Sequence, residues 1–195
     1  MDTESGSLKS QRDGGRKMTT ILICGKKEES SVTRALVHAA GKYGEIQTYA
    51  NGKLYGGKKP EFLLYDFEQL PEIQMPQGIL VFKDSFSGRV PCKIPGGFLA
   101  VFSACNKAAA SALGGTGISA VTCGTAARDT VSAASLGFPQ SVVSLQRSVR
   151  TLAGTVLEPH DIPVTLSEPY TLGPLLIASA VLLIAGVFSG NGYEF

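Results

Sequence analysis

The chain has 195 residues, of which 44% are hydrophobic and 17% are charged, and its formal net charge is +2. These proportions are those of an ordinary globular protein, so a largely disordered chain is excluded and a sizeable core is possible. Strand and helix patterns alternate along the sequence, which favours one domain over residues 19–190.

The first 18 residues form a polar leader rich in Gly and Ser, with basic side chains before Met18. Because the leader lacks an apolar stretch, it is not a secretory signal, and we expect residues 1–18 to be disordered. Met18 directly precedes the first predicted strand, so translation starting there is an alternative to Met1. Contact of the leader with anionic lipid or nucleic acid is the less favoured interpretation.

A strand, a glycine turn and a helix are predicted next. Thr20–Cys24 is a β-branched and apolar run, typical of a buried parallel strand. In residues 31–41 apolar side chains recur at helical spacing, and Gly41 is a stop signal. The intervening GKKEES, residues 25–30, stands where a phosphate-binding loop would present backbone N–H groups, a Lys and a hydroxyl.

The helix carries a resemblance to a known family. Residues 30–44, SSVTRALVHAAGKYG, resemble the first helix of the ATP-binding central domain of Mur ligases and the related poly-glutamate synthetases. In that family the loop reads roughly GTxGK[ST][ST]. Aligned on VTR, the family's first Gly, second Gly, Lys and hydroxyl pair fall on Gly25, Glu28, Glu29, Ser30 and Ser31.

This loop departs from the family pattern because two carboxylates stand where the phosphate would be held. Like charges about 4 Å apart cost roughly 4 kcal/mol at the effective dielectric of a protein surface. If nucleotide binding is retained, the resemblance implies that it uses Gly25, Lys26, Lys27, Ser30 and Ser31.

A possible metal ligand follows in EFLLYDF, residues 61–67. The segment resembles the family's next buried strand, where an acidic residue near the strand end helps to hold Mg²⁺. Asp66 is the matching carboxylate, so a retained metal site would use Ser30 and Asp66. Ligands of open α/β sheets bind at the carboxyl ends of the strands, so we expect Asp66 beside the strand that ends at Cys24.

Later segments keep the order of the family's elements, but none has an intact motif. They are a glycine-containing loop (48–59), two strands (77–86 and 96–106), a strand with a glycine and an Ala-Asp segment (118–136), and a closing strand and helix (161–187). The family's Asp-His and Gly-His-Asn are absent, and Asn106 is the remnant of its Asn-Ala-Asp. The resemblance covers residues 19–188, without the family's N-terminal and C-terminal domains.

Residues 129–166 have a different pattern, alternating and β-branched, which predicts a β-meander or hairpin with its turn at Gly154. Arg147 and Arg150 are expected to face solvent, as edge-strand charge that discourages aggregation. GGTG at residues 114–117 is followed by a predicted strand, so we interpret it as a helix-to-strand connection and not as a phosphate cradle.

Residues 171–190 contain no charged side chain. At about 1.5 Å per residue such a segment could cross a bilayer as a helix. Pro174 suits the first turn of a helix, which makes the regular helix shorter than the segment, and no Lys or Arg flanks it. We therefore expect a buried core helix, with a tail anchor or membrane hairpin as the alternative.

The four cysteines form no CxxC pair, and the chain has only two His, so a zinc site is not expected. Cys24, Cys105 and Cys123 end apolar runs and are expected to pack as small core residues. Nothing in the sequence provides a base for Cys123 as a nucleophile, and no G-x-S-x-G elbow supports a Ser-His-Asp hydrolase.

These patterns predict an α/β fold: a three-layer, P-loop-like domain with a mostly parallel sheet and an antiparallel β extension. The favoured function is a non-catalytic, Mur-ligase-like binding or regulatory domain near cell-envelope synthesis. It would be cytoplasmic, have an unknown protein partner, and bind neither nucleic acid nor a cofactor. One alternative is a ligase-like enzyme that binds ATP and Mg²⁺ with altered phosphate chemistry. Another is a membrane-attached accessory protein that uses residues 171–190.

Overall fold

The computed structural model describes residues 18–88 and 93–195. Over these ranges the chain forms a sheet of 11 strands, a separate sheet of two strands and three α-helices. In chain order the elements are β1 (Thr19–Cys24), α1 (Ser31–Gly41), β2 (Ile46–Ala50), β3 (Lys53–Gly56), β4 (Phe62–Phe67), β5 (Gln77–Phe82), β6 (Gly97–Ser103), α2 (Lys107–Leu113), β7 (Ser119–Cys123), β8 (Val131–Ser135), β9 (Gln140–Leu145), β10 (Val149–Arg150), β11 (Val156–Leu157), β12 (His160–Thr165), α3 (Leu172–Ala185) and β13 (Tyr193–Glu194).

The centre of the large sheet is parallel. Its strand order is β13-β12-β9-β8-β7-β6-β5-β1-β4-β2-β3, and the pairs from β7 across to β2 are all parallel. β1 lies between β4 and β5, so Ile23 pairs with Asp66 on one side and Cys24 pairs with Phe82 on the other. As the sequence predicts, the carboxyl end of β4 therefore lies beside the strand that ends at Cys24.

Helices cover both faces of the sheet, which confirms the predicted α/β fold. One face packs against α1 and α3 and holds the larger apolar cluster, while α2 contributes Ala109 and Leu113 to the cluster on the other face. α1 buries the predicted apolar side of its surface, including Val32, Leu36 and Ala39. α3 is buried over Leu175–Ile184, because the sheet covers one side of it and α1 covers another.

Residues 48–59 were expected to form a loop, and this expectation is wrong. They lie in a β-hairpin in which β2 and β3 pair antiparallel. Asn51 and Gly52 form the turn with φ values of 53° and 74°. A two-residue turn with both φ values positive matches the twist of the flanking strands, and Asn-Gly is the sequence that favours it most.

The antiparallel extension has the predicted form. β9 pairs antiparallel with β8 and with β12, and the β10–β11 pair continues the hairpin to a turn at Gly154. Gly154 has a φ of 88°, which a glycine adopts without steric cost. β10 and β11 form their own small sheet, and Arg147 and Arg150 are exposed to solvent, as the sequence predicts.

The closing helix, α3, is the segment for which a membrane span was the alternative. α3 has 14 residues with Pro174 in its first turn, as predicted, and within the described residues no helix has the length and apolar character needed to cross a bilayer.

Cys24 and Cys123 end their strands and are buried, but Cys105 is exposed beyond the end of β6, so the prediction of a core position is wrong for Cys105. The expectation for residues 1–18 lies outside the described residues except for Met18.

Candidate functional site

A buried ion pair lies at the carboxyl ends of the central strands. Lys83 directly follows β5, and its side chain is fully buried. Its ammonium lies 2.8 Å from Oδ1 and 2.9 Å from Oδ2 of Asp66, and it donates a third hydrogen bond, of 3.2 Å, to the carbonyl of Lys26. An ammonium has three donors, so Lys83 is fully satisfied by groups of its own chain.

Neighbouring polar groups fix both partners of the pair. Thr33, in the first turn of α1, donates its hydroxyl to Oδ2 of Asp66 at 2.6 Å. The side-chain amide of Asn106 donates to the carbonyl of Lys83 at 2.8 Å, while its side-chain oxygen accepts from the N–H of Ala109 and caps α2. The ion pair thus links the ends of β4 and β5 to the starts of α1 and α2.

The backbone of Gly25 lies directly against the side chain of Lys83. It follows β1, the strand between β4 and β5, and its φ of 149° is rare for a residue with a side chain. A Cβ at this position would lie 2.6 Å from Cβ of Lys83 and 2.9 Å from Oγ of Ser85. The glycine that the sequence assigns to a phosphate turn therefore makes room for a side chain of the protein itself.

Glu29 has a defined structural role in the loop. Its two carboxylate oxygens accept hydrogen bonds from the backbone N–H of Asp84, at 3.3 Å, and of Ser85, at 2.9 Å. Backbone N–H groups that converge on one carboxylate are the kind of donors that hold a phosphate in anion-binding loops. Here the protein's own carboxylate takes those donors.

The remaining residues of the predicted site line the outside of the loop. Lys26 is exposed, and its backbone N–H donates to Oγ of Ser85 at 2.9 Å. Lys27 forms an exposed ion pair of 3.5 Å with Glu68. Ser30 precedes α1 but makes no side-chain capping bond, and Ser31 is the first residue of the helix.

The predicted residues thus separate into two groups. Gly25 and Asp66 lie together at the buried pair, whereas the ammonium groups of Lys26 and Lys27 do not approach it in any contact that the structure records. Whether any of these residues binds a nucleotide or a metal stays a prediction. Within the described ranges, no three His, Cys, Asp or Glu side chains cluster as metal ligands would.

The thiol of Cys24 lies next to this pair at the end of β1. The pKa of the thiol is raised to about 12, chiefly by burial and also by the negative charge of Asp66, while the positive charge of Lys83 lowers it. Burial also raises the pKa of Cys123, with Asp129 adding to the effect. A thiol that stays protonated at neutral pH is a poor nucleophile, so neither cysteine has the character of a catalytic group.

Sequence reasoning missed Lys83 and Thr33, which are central to this site. The available signal was the run ILVFK at residues 79–83, because a Lys that ends an apolar strand must find a partner in the fold. Thr33 looked like an ordinary helix residue. Only the pairing of β4 beside β1 brings it to Asp66.

Comparison with solved structures assigns the fold. The murein peptide ligase Mpl from Psychrobacter arcticus superposes with a TM-score of 0.51 at 13% sequence identity, covering 88% of this chain and 45% of the ligase. The fold is Mur-ligase-like. A UDP-N-acetylmuramoyl-L-alanyl-D-glutamate–2,6-diaminopimelate ligase gives a TM-score of 0.53 at 8% identity, covering 90% of this chain and 45% of the ligase. MurF from Acinetobacter baumannii gives a TM-score of 0.52 at 9% identity, covering 87% of this chain and 43% of MurF.

These likenesses concern the fold alone, because sequence identity is low throughout. This Mur-ligase-like chain spans less than half the length of each of the three ligases. No protein-family model and no curated protein matches its sequence.

Proposed function

We propose that this chain is a non-catalytic domain of Mur-ligase-like fold that acts as a binding or regulatory module. The observation that carries the proposal is the position of Lys83. A metal ion held by Asp66 would have to lie beside the oxygens that the Lys83 ammonium already contacts at 2.8 and 2.9 Å. Lys83 thus supplies from within the chain the positive charge that Mg²⁺ would otherwise bring.

The loop gives independent support. Its Glu28 and Glu29 carboxylates repel a polyphosphate, at roughly 4 kcal/mol for a like-charged pair about 4 Å apart. The start of α1 attracts a negative charge by only about 0.3–1 kcal/mol. Since Glu29 also holds the amides of Asp84 and Ser85, two donors that could turn toward a phosphate are engaged. The residues present do not fit ATP–Mg²⁺.

The biological setting of the proposal comes from the similar structures. Two of them are described as a murein peptide ligase and a UDP-N-acetylmuramoyl peptide ligase. We place the role of this domain near cell-envelope synthesis, in the cytoplasm, with a protein as its partner and without nucleic acid. The pseudoenzyme character and the degenerate phosphate loop are parts of the same proposal.

A second candidate function rests on the same lysine. Lys83 Nζ lies inside the loop, 3.2 Å from the Lys26 carbonyl, so it could replace the lysine that the loop lacks at position 29. The protein would then bind a nucleotide with a lysine supplied by β5. This requires Lys83 to leave Asp66, which would strand a carboxylate that is only 11% exposed.

Isothermal titration with ATP, in excess Mg²⁺ and in EDTA, separates these functions. The wild-type protein should show no saturable binding at millimolar ATP and release no phosphate. Glu28→Gly combined with Glu29→Lys should gain measurable affinity, because two repulsive groups are removed and a lysine is restored. That affinity should depend little on Mg²⁺, since Lys83 still occupies Asp66.

Glu45→Lys is the charge control, because Glu45 precedes β2 at the opposite end of the strands. It should gain no affinity. Tight binding by the wild-type protein would overturn the non-catalytic proposal and favour the second candidate. An unchanged titration of the double variant would remove the chemical support for a degenerate loop.

A further inference from the structure

A second concave site lies away from the loop, on the face of the sheet that carries α3. It is a cavity of about 440 Å³ between the amino-terminal parts of β6 and β7 and the β10–β11 hairpin. Leu99 of β6 and Ser119, the first residue of β7, pair in the sheet and line it. Its volume falls within the range of about 300–1,000 Å³ that is common for small-molecule sites.

The charges that line this cavity are all positive. Arg147, in the connection between β9 and β10, and Arg150, at the end of β10, both border it, and no Asp or Glu does. Within residues 18–88 and 93–195, the structure records no hydrogen bond or ion pair for either guanidinium. Ser148, which also lines the cavity, donates a hydrogen bond of 2.7 Å to the carboxylate of Glu158.

The rest of the lining is divided between apolar and hydroxyl groups. Val121 and Val149 are buried and form an apolar base, and Val156 is half exposed at the rim. Ser119 and Thr130 contribute hydroxyls. A guanidinium presents a planar fork of donors that matches the oxygens of a carboxylate or phosphate. Arg147 and Arg150, three residues apart in sequence, place two such forks at the border of the same cavity as this apolar base.

We propose that this cavity binds a small molecule that carries an oxyanion, phosphate or carboxylate, on an apolar body. The oxyanion is held by Arg147 and Arg150, and the apolar part lies on Val121 and Val149. This site lies toward the opposite ends of the strands from Lys83 and Asp66, so the inference does not depend on the function proposed above.

The test is titration of the full chain at low ionic strength with inorganic phosphate, phenyl phosphate and benzoate, followed by calorimetry and amide chemical shifts. Phenyl phosphate or benzoate should bind saturably and more tightly than inorganic phosphate, because the ring adds apolar contact. The stronger of the two identifies the oxyanion. The shifted amides should lie at Ser119, Thr130 and Val149.

Arg147→Gln and Arg150→Gln should each weaken binding about tenfold or more, as expected for loss of a charge-assisted hydrogen bond. Arg128→Gln is the matched control, because Arg128 is exposed in the connection from β7 to β8 and does not line the cavity. Absence of saturable binding by all three probes would overturn the proposal. An equal loss in Arg128→Gln, or shifts confined to residues 26–31, would also overturn it.

Discussion

The side chain of Lys83 reaches Asp66 across the end of β1, although the strands that carry these two residues are not neighbours. β1 separates β4 from β5 in the sheet. Gly25, which follows β1, lies against the Lys83 side chain where it passes from one side of β1 to the other. The ammonium and the carboxylate meet at 2.8 Å with the lysine fully buried. This one ion pair thereby connects the carboxyl ends of three adjacent strands, β5, β1 and β4.

Breaking this pair should destabilise the protein strongly. Lys83→Met leaves Asp66 with its Thr33 hydrogen bond but no counter-charge, and we expect a loss of about 3 kcal/mol in the free energy of unfolding. Asp66→Asn should cost a similar amount, because it leaves a buried ammonium. The double variant should lose at least about 1 kcal/mol less than the sum of the two. Urea unfolding of the four proteins measures this coupling.

The ion pair between Lys27 and Glu68 is the control, since both of its side chains are about half exposed. Lys27→Met and Glu68→Gln should each change stability by less than about 1 kcal/mol. The coupling energy of each pair is obtained from its two single variants and its double variant. If Lys27–Glu68 gave the same coupling energy as Lys83–Asp66, the assignment of Lys83 and Asp66 as the central contact of the site would be wrong.

Gly25→Ala should destabilise the protein by roughly 1–3 kcal/mol, because the new methyl group meets Lys83 at a position where φ is already unfavourable. Gly96→Ala serves as the comparison. Its Cβ would have no heavy atom within 4 Å and its φ is not in the left-handed region, so a change within about 0.5 kcal/mol is expected. Thermal or urea unfolding checks both, and equal effects would contradict the close approach.

The sequence predicted the elements whose signals are local. The Val32–Ala40 periodicity of α1, the apolar run of β1 and the turn at Gly154 each depend on neighbours within a few residues, and each was confirmed. Asn51-Gly52 was also a local hairpin signal. The family resemblance, in contrast, implies a loop at this position.

The centre of the site could not be predicted in the same way. Lys83 and Asp66 are 17 residues apart in sequence, and their contact depends on the strand order β5-β1-β4. No periodicity encodes which two strands flank a third. The roles of Glu28 and Glu29 have the same limit. Their charges predict repulsion of a phosphate, but the amides of Asp84 and Ser85 become partners of Glu29 only in the fold.

Stability should fall as the pH rises above 9.0, the ordinary pKa of a thiol. Cys24 and Cys123 have raised pKa values in the folded protein, so both stay protonated there while the unfolded chain ionises. Their contribution is complete below the unfolded pKa and is lost as the pH rises toward the folded value, which is about 12 for Cys24. The expected slope is about 1.4 kcal/mol per pH unit for each thiol.

Urea midpoints between about pH 8 and about pH 10 measure this slope. Tyr43, Tyr170 and Tyr193, whose pKa values are also raised from 10.0 by burial, add to it toward the upper end of that range. Cys24→Ala and Cys123→Ala should each flatten it, even if they lower stability at neutral pH. A slope that is insensitive to both buried substitutions would show that these thiols do not titrate as the structure implies.

The packing of α3 on α1 has a consequence for synthesis of the chain. Gly41 and Leu172 have 130 residues between them, so the apolar side of α1 stays without its helical partner while most of the polypeptide is being made. A nascent chain that stops before α3 leaves the surface of α1 that packs on α3 open to the solvent and to chaperones. The apolar core that α1 shares with α3 is therefore completed only after α3 has been made.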